Sequence, residues 1–324
     1  MSGSFFNHIA TVADGVVVSS LYMVGYSSVA NSTVSKFNTD GLLKWSKALK
    51  NGILGMSMYG DSLFASRMKS DTGDILISKI NMEGDLVNDI DVSSTCSGMV
   101  KIHNGCIYDI CNENGMGSIS CIDMTGEPIW RSYVGGFYGG MEFSDFTIAN
   151  DGFIYAVGVK TAEYGDRPLI GKWDLYGREI WVQLLKDVEG GFNCINVDSN
   201  GFLYAAGYDS LVTKWNTDGE LVWKHSAIKG HTMRSITVDS DGYVYVAGRK
   251  NANSYLFKWN KDGKLVWEKM LENGLRFYNL ITQIVSNGKD IFTIGLQVGK
   301  NNNTRGVLCK WDSDGCLKWD EQLT

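Results

Sequence analysis

The sequence predicts an all-β fold, a seven-bladed β-propeller with four antiparallel strands per blade. Three observations carry this. One phrase recurs seven times at a near-constant interval. A second, strand-forming phrase alternates with it. The strands so defined are apolar on both faces.

The first phrase reads "KWNTDGELVW" from Lys214 to Trp223, and returns as "KFNTDGLLKW" at Lys36, "KWNKDGKLVW" at Lys258 and "KWDSDGCLKW" at Lys310. Its turn glycine recurs as Gly41, Gly84, Gly126, Gly177, Gly219, Gly263 and Gly315, at spacings of 43, 42, 51, 42, 44 and 52 residues. Four residues after each glycine stand Trp45, Asn88, Trp130, Trp181, Trp223, Trp267 and Trp319. The second phrase reads "NDGFIYAVG" at Asn150, "SNGFLYAAG" at Ser199 and "SDGYVYVAG" at Ser240. Short β-type runs bounded by Asn-Gly or Asp-Gly read as hairpins.

One unit then parses as "FNCINVD", "FLYAAGY", "LVTKWN" and "ELVWKHS". Applied to the whole chain, the parse gives one domain over residues 1–324, with blades near 5–51, 52–94, 95–136, 137–190, 191–229, 230–274 and 275–324. A blade packs between two neighbours, so both its faces are expected to be dry. Trp45, Trp130, Trp181, Trp223, Trp267 and Trp319 are expected to be structural, as wedges in the widening gap between blades. No blade mixes the two termini on this parse, so closure would rest on side chains.

The phrases "WNTDGELVW" and "VDSNGFLYAAG" resemble the bacterial seven-bladed propeller repeat of the SBBP type over almost the whole chain, least in the second unit, where Asn88 replaces Trp. A more distant likeness is to the quinoprotein (PQQ-like) propeller repeat, which also places Gly four residues before Trp. The turn here is one residue shorter, and the calcium site and adjacent-Cys pair of those enzymes are not visible. The resemblance implies a fold and no single function.

Composition narrows the partners. A net charge of −6 argues against a nucleic-acid partner, which needs a basic face. No apolar run approaches the length of a membrane span. The start "MSGSFFNHIATVADG" lacks the basic and apolar regions of a secretory signal. With seven cysteines, an odd number, this leads to an expectation of reduced thiols and a cytoplasmic location, or a virion if the chain is phage-encoded.

No cofactor or metal is expected. The "DSDG" runs at Asp239 and Asp312 and "DSNG" at Asp198 are expected to be turn chemistry, with calcium as the alternative. His8, His103, His225 and His231 are spread over different units, and the cysteines lack paired CxxC spacing. No G-x-S-x-G elbow marks a nucleophile, and no catalytic residue is assigned.

The connections within hairpin pairs one–two and three–four are short and uniform. Those between strands two and three, and between blades, diverge, with long insertions "VKTAEYGDRPL" and "QVGKNNNTRG". Binding residues tend to sit on irregular loops held by a rigid scaffold. Aromatics and arginines dominate interface hot spots, which selects Tyr138, Tyr164, Arg167, Tyr208, Arg249 and Arg305 on the divergent-loop face. The lead reading is a non-enzymatic protein-interaction scaffold, with a bacterial or phage virion or tail-associated component as its concrete form. The alternatives are a carbohydrate-binding propeller and an enzyme with its site at the axial channel.

Overall fold

The computed structural model describes residues 2–24, 31–69, 72–92, 99–134, 140–161, 165–226, 230–251, 253–271, 280–298 and 304–322. The repeated turn explains how the strands form. Asn216 accepts two backbone N–H groups on its side-chain oxygen, from Asp218 at 3.1 Å and Glu220 at 2.9 Å. Gly219 follows at φ +83°, a left-handed conformation that favours glycine. Asn38, Asn81, Asp123, Asp174 and Asn260 make the same pair of bonds. So do Asp198, Asp239 and Asp312 of the "DSNG" and "DSDG" runs, whose carboxylates serve the turn.

Strands Phe192–Val197, Leu203–Gly207, Leu211–Trp215 and Leu221–Ser226 pair antiparallel in sequence order. Four more four-stranded sheets have this meander, running from Ser2–Val12 to Leu43–Leu49, Ile53–Tyr59 to Leu86–Val92, Thr232–Val238 to Leu265–Leu271 and Leu280–Asn287 to Leu317–Gln322. The strands from Val100–His103 to Pro128–Val134 and from Met141–Ile148 to Glu179–Leu184 form one eight-stranded sheet. A single parallel bridge, Met116 to Met141, joins its two antiparallel halves. The described fold is therefore all-β and propeller-like. None of its helices is long and apolar enough to cross a membrane.

The core lies between sheets. Each of seven buried clusters among the described residues joins two consecutive sets of four strands. One of them sets Ile9, Val16 and Phe37 of the first set against Phe292, Ile294 and Leu308 of the last. The inner strand of each set packs on the inner strand of the next, and that of the last set packs on that of the first.

The outer strand departs from the expectation of two dry faces. Ile180 is 52% exposed and Val222 50%, and Val87, Ile129 and Val266 at the same position are similarly open. The outermost strand has no neighbour beyond it, and the sheets diverge with distance from the axis. One of its faces therefore meets solvent.

The tryptophans sit at the joints between sets. The Trp223 indole lies on the next turn, where a Cβ on Gly263 would come within 2.8 Å of its ring. Its N–H donates to the Lys261 carbonyl at 3.1 Å. Lys214 donates to the same carbonyl at 3.3 Å while its ammonium lies 4.0 Å from the Phe202 ring. The pairs Trp181 and Lys172 on Thr217, Trp267 and Lys258 on Ser313, and Trp319 and Lys310 on Thr39 repeat this two-donor joint. Trp45 and Trp130 donate to Met82 and Leu175. At Asn88 the joint differs: the Gly126 turn lies against the Asp91 backbone carbonyl, leaving a Cβ only 1.9 Å.

Candidate interaction face

The inner strands carry a β-bulge near the end that adjoins the divergent loops. The extra residue is Asn7, Leu54, Ser144, Asn193, Arg234 or Thr282, depending on the set. A bulge pushes the backbone towards the neighbouring strand. This accounts for the glycine that ends the second phrase. A Cβ on Gly158 would fall 1.9 Å from the Glu142 carbonyl, and one on Gly207 would fall 2.0 Å from that of Gly191.

At two bulges the extra side chain bonds to the next set. Asn7 donates to the Ile53 carbonyl at 2.6 Å, and Asn193 donates to that of Met233 at 2.8 Å. Both acceptors immediately precede a bulge. Arg234 occupies the equivalent position but is exposed. Among the described residues no hydrogen bond ties its guanidinium to a neighbouring carbonyl.

The Tyr208–Ser210 turn stands beside it. Asp209 and Ser210 both have positive φ, 50° and 64°, a costly conformation for two consecutive non-glycine residues. Contacts with the next set hold it. Ser210 N–H donates to the His231 carbonyl at 2.8 Å, His231 N–H donates to Ser210 Oγ at 3.1 Å, and Gly230 N–H donates to Asp209 Oδ1 at 2.9 Å. His231 is buried beneath, edge-on to Tyr255 and Phe257. The clamp leaves Tyr208 half exposed.

Arg249, opposite Thr232 in the register, is exposed on the same side. Partial burial and the Arg249 charge lower the pKa of Arg234, and the Tyr208 phenol opposes them. The turn that carries Tyr208 is clamped to Gly230 and His231, and Arg249 pairs with Thr232, so both adjoin the strand end whose bulge holds Arg234. Arg167 is one step further along. The Gly190 N–H donates to the Asp166 carbonyl at 3.1 Å, and a Cβ on Gly190 would lie 2.9 Å from Tyr208 Cβ. Arg167 itself is half-buried, its guanidinium donating to the Asp166 carbonyl at 2.9 Å. Arg305 is exposed but lies in the last set, opposite Gln297, and does not join this group. Tyr138 and Tyr164 lie outside the described residues.

Behind the Tyr208–Ser210 turn is an open cavity of about 440 Å³, lined by Asp187, Val188, Glu189, Asp209, Leu211 and Lys224. Lys224 pairs with Asp187 and holds its carboxyl below the usual range.

A second cavity, of about 320 Å³, lies between the inner strands, with Thr11, Ser57, Lys101, His103 and Thr147 on its wall. Burial, then the Lys101 charge, lowers the His8 pKa to about 4. Asp145 accepts N–H bonds from Phe146 at 2.8 Å and Ile195 at 3.0 Å, and burial raises its pKa against those bonds and Lys101. Among the described residues no group of three His, Cys, Asp or Glu side chains is placed to hold a metal ion.

Sequence reading missed Arg234, because an arginine at the end of an inner strand has no mark that separates it from a solvated one. It also missed Lys101, since "VKIH" is too short to show which side faces the axis.

A solved protein from Lactobacillus plantarum superposes with a TM-score of 0.64 at 13% identity, covering 99% of this chain and 96% of that one. BamB from Moraxella catarrhalis gives 0.56 at 14% identity, with 99% and 90% covered. The WD40 β-propeller domain of Doa1 gives 0.55 at 12%, with 94% and 96% covered. At such identities these likenesses show the propeller fold alone. No curated sequence matches at a significant level. A family model does match, over residues 115–324, and it is of the PQQ type, the more distant of the two resemblances read from the repeat; the SBBP-type family is not shown. The chain belongs to the PQQ-type repeat family described as outer membrane protein assembly factor BamB.

Proposed function

We propose that the chain is a closed seven-bladed propeller serving as a non-enzymatic scaffold, and that it docks a protein partner through the loop face around Tyr208 and Arg249. Seven buried inter-sheet cores support the blade count, with the eight-stranded sheet counted as two blades bridged at Met116 and Met141. The Trp319 bond to Thr39 supports closure. The observation that carries the docking reading is the clamped turn. Two strained residues, Asp209 and Ser210, are held by the neighbouring set while an aromatic ring and two guanidiniums are left facing solvent. Strain of this kind persists where surrounding contacts over-determine it, and it clusters at ligand-binding sites.

The matched family is described as an assembly factor, which agrees with a scaffold role. A component of a bacterial assembly or of a phage virion is the concrete form of this reading. Native mass spectrometry of the protein captured from its own cells tests it. A defined complex that Tyr208→Ala and Arg249→Ala disperse supports the reading, and free monomer throughout contradicts it. A glycan-array signal removed by Tyr208→Ala would instead move the face to carbohydrate binding.

A further inference from the structure

The docking reading leaves open what the partner presents to this face. We propose that Arg234 and Arg249, flanked by Tyr208, bind a carboxylate of an acidic peptide segment on the partner. The inference rests on the docking reading and deepens it.

Arg249 pairs with Thr232, two residues from the bulged Arg234, and two guanidiniums at one strand end repel each other unless an anion lies between them. Among the described residues neither Arg234 nor Arg249 forms an ion pair, although eleven lysines and arginines, including Arg67 with Asp89 and Arg131 with Glu113, do. The bulge explains why Arg234 is available. Its backbone position is the one from which Asn193 reaches a neighbouring carbonyl, but Arg234 is exposed. A guanidinium offers a planar fork of donors that matches a carboxylate. Two forks beside a half-exposed phenol make an anchor for one acidic side chain with an apolar neighbour.

The surroundings separate a carboxylate from a phosphate polymer. Asp187, Glu189 and Asp209 line the adjoining cavity, and the chain carries a net charge of −6. An extended polyanion laid along this face would also meet the carboxylates of that cavity. A peptide brings isolated charges and can turn a neutral or basic residue towards the acidic cavity.

Fluorescence anisotropy with the full chain tests this. The probes are a labelled pentapeptide with two glutamates flanking a phenylalanine, and its glutamine counterpart. The wild type is expected to bind the glutamate peptide about tenfold more tightly at low salt, a preference that high salt erodes. The Arg234→Ala/Arg249→Ala double variant is expected to lose the preference, and Arg249→Lys to keep part of it. Both arginines are exposed, so an unchanged melting curve confirms that the variants fold. Equal affinity for the two peptides, or a preference that survives the double variant, overturns the assignment. Inorganic phosphate competing far better than acetate also overturns it. If the double variant captures the native partner as well as the wild type does, the carboxylate assignment fails and the docking reading stands. If the wild type captures nothing through this face, the docking reading fails, and the two peptides still judge the arginine pair.

Discussion

Trp319 donates its indole N–H to the Thr39 carbonyl at 3.1 Å and covers the Gly41 turn, so the outer strand of the last set is tied to the third–fourth strand turn of the first. The bond spans almost the whole chain, yet it copies the joint that Trp181, Trp223 and Trp267 make with the set that follows each of them. Because no strand is shared between the ends among the described residues, this joint, the core around Phe292 and Ile9, and the Gln283 and Asn287 bonds to Ile9 and Val12 hold the ends together.

Trp319→Leu is therefore expected to loosen both ends together. Trp319 is only partly buried, so the loss is about 2–3 kcal/mol, below that of a fully buried Trp. Trp319→Phe is expected to lose about 1 kcal/mol, because Lys310 still satisfies the Thr39 carbonyl. Urea unfolding with hydrogen exchange on the first and last sets is the check. An unchanged midpoint for Trp319→Leu would contradict the closure.

The glycines of the joint separate two causes. Gly177 at φ +80° lies under Trp130, where a Cβ would approach the ring to 2.6 Å, whereas Gly152 at φ +77° has open space around it. Gly152→Ala is expected to destabilise by about 1 kcal/mol, from backbone strain alone. Gly177→Ala is expected to cost about 1–3 kcal/mol more, from the displaced indole. Equal losses would remove the steric part of the argument.

Protonation of His8 opposes folding. Its folded pKa of about 4 lies below the unfolded value near 6.5, so the unfolded chain takes up the proton first. The stability linked to neutral His8 is complete above pH 6.5 and declines as the pH falls towards 4. His8→Gln is expected to flatten that decline in denaturant melts over this window. A variant with the wild-type slope would show that other groups set it.

The thiols provide a probe of burial. Cys194 and Cys309 are buried, and burial raises their pKa values, while Cys316 is exposed. A thiol reagent is expected to modify Cys316 in the native protein and to reach Cys194 and Cys309 only on unfolding. Native labelling of Cys194 at the rate of Cys316 would contradict the packing of the fifth and sixth sets.

The repeat was legible because its glycine and tryptophan answer to one joint, so both recur at a fixed offset. The second-phrase glycine was legible as a pattern, but its cause was not. Gly158 and Gly207 are required by a bulge on the paired inner strand, and strands such as "FNCINVD" carry no mark of an extra residue. The lysines of the phrase look like surface charges in sequence. Lys172, Lys214 and Lys258 are instead buried against aromatic rings with a carbonyl to meet. At the candidate site, Tyr208 and Arg249 could be selected as residue types on divergent loops. Their meeting at Arg234 depends on which loops adjoin across a joint, and local pattern does not encode that.

A map of the free protein viewed down the axis between the inner strands, from cryo-electron microscopy or a crystal, tests the central claim most directly. The account predicts seven radial sheets, with the Trp319 indole seated on the Gly41 turn and no gap between the first and last. Six or eight sheets, or an open cleft at that junction, would contradict it.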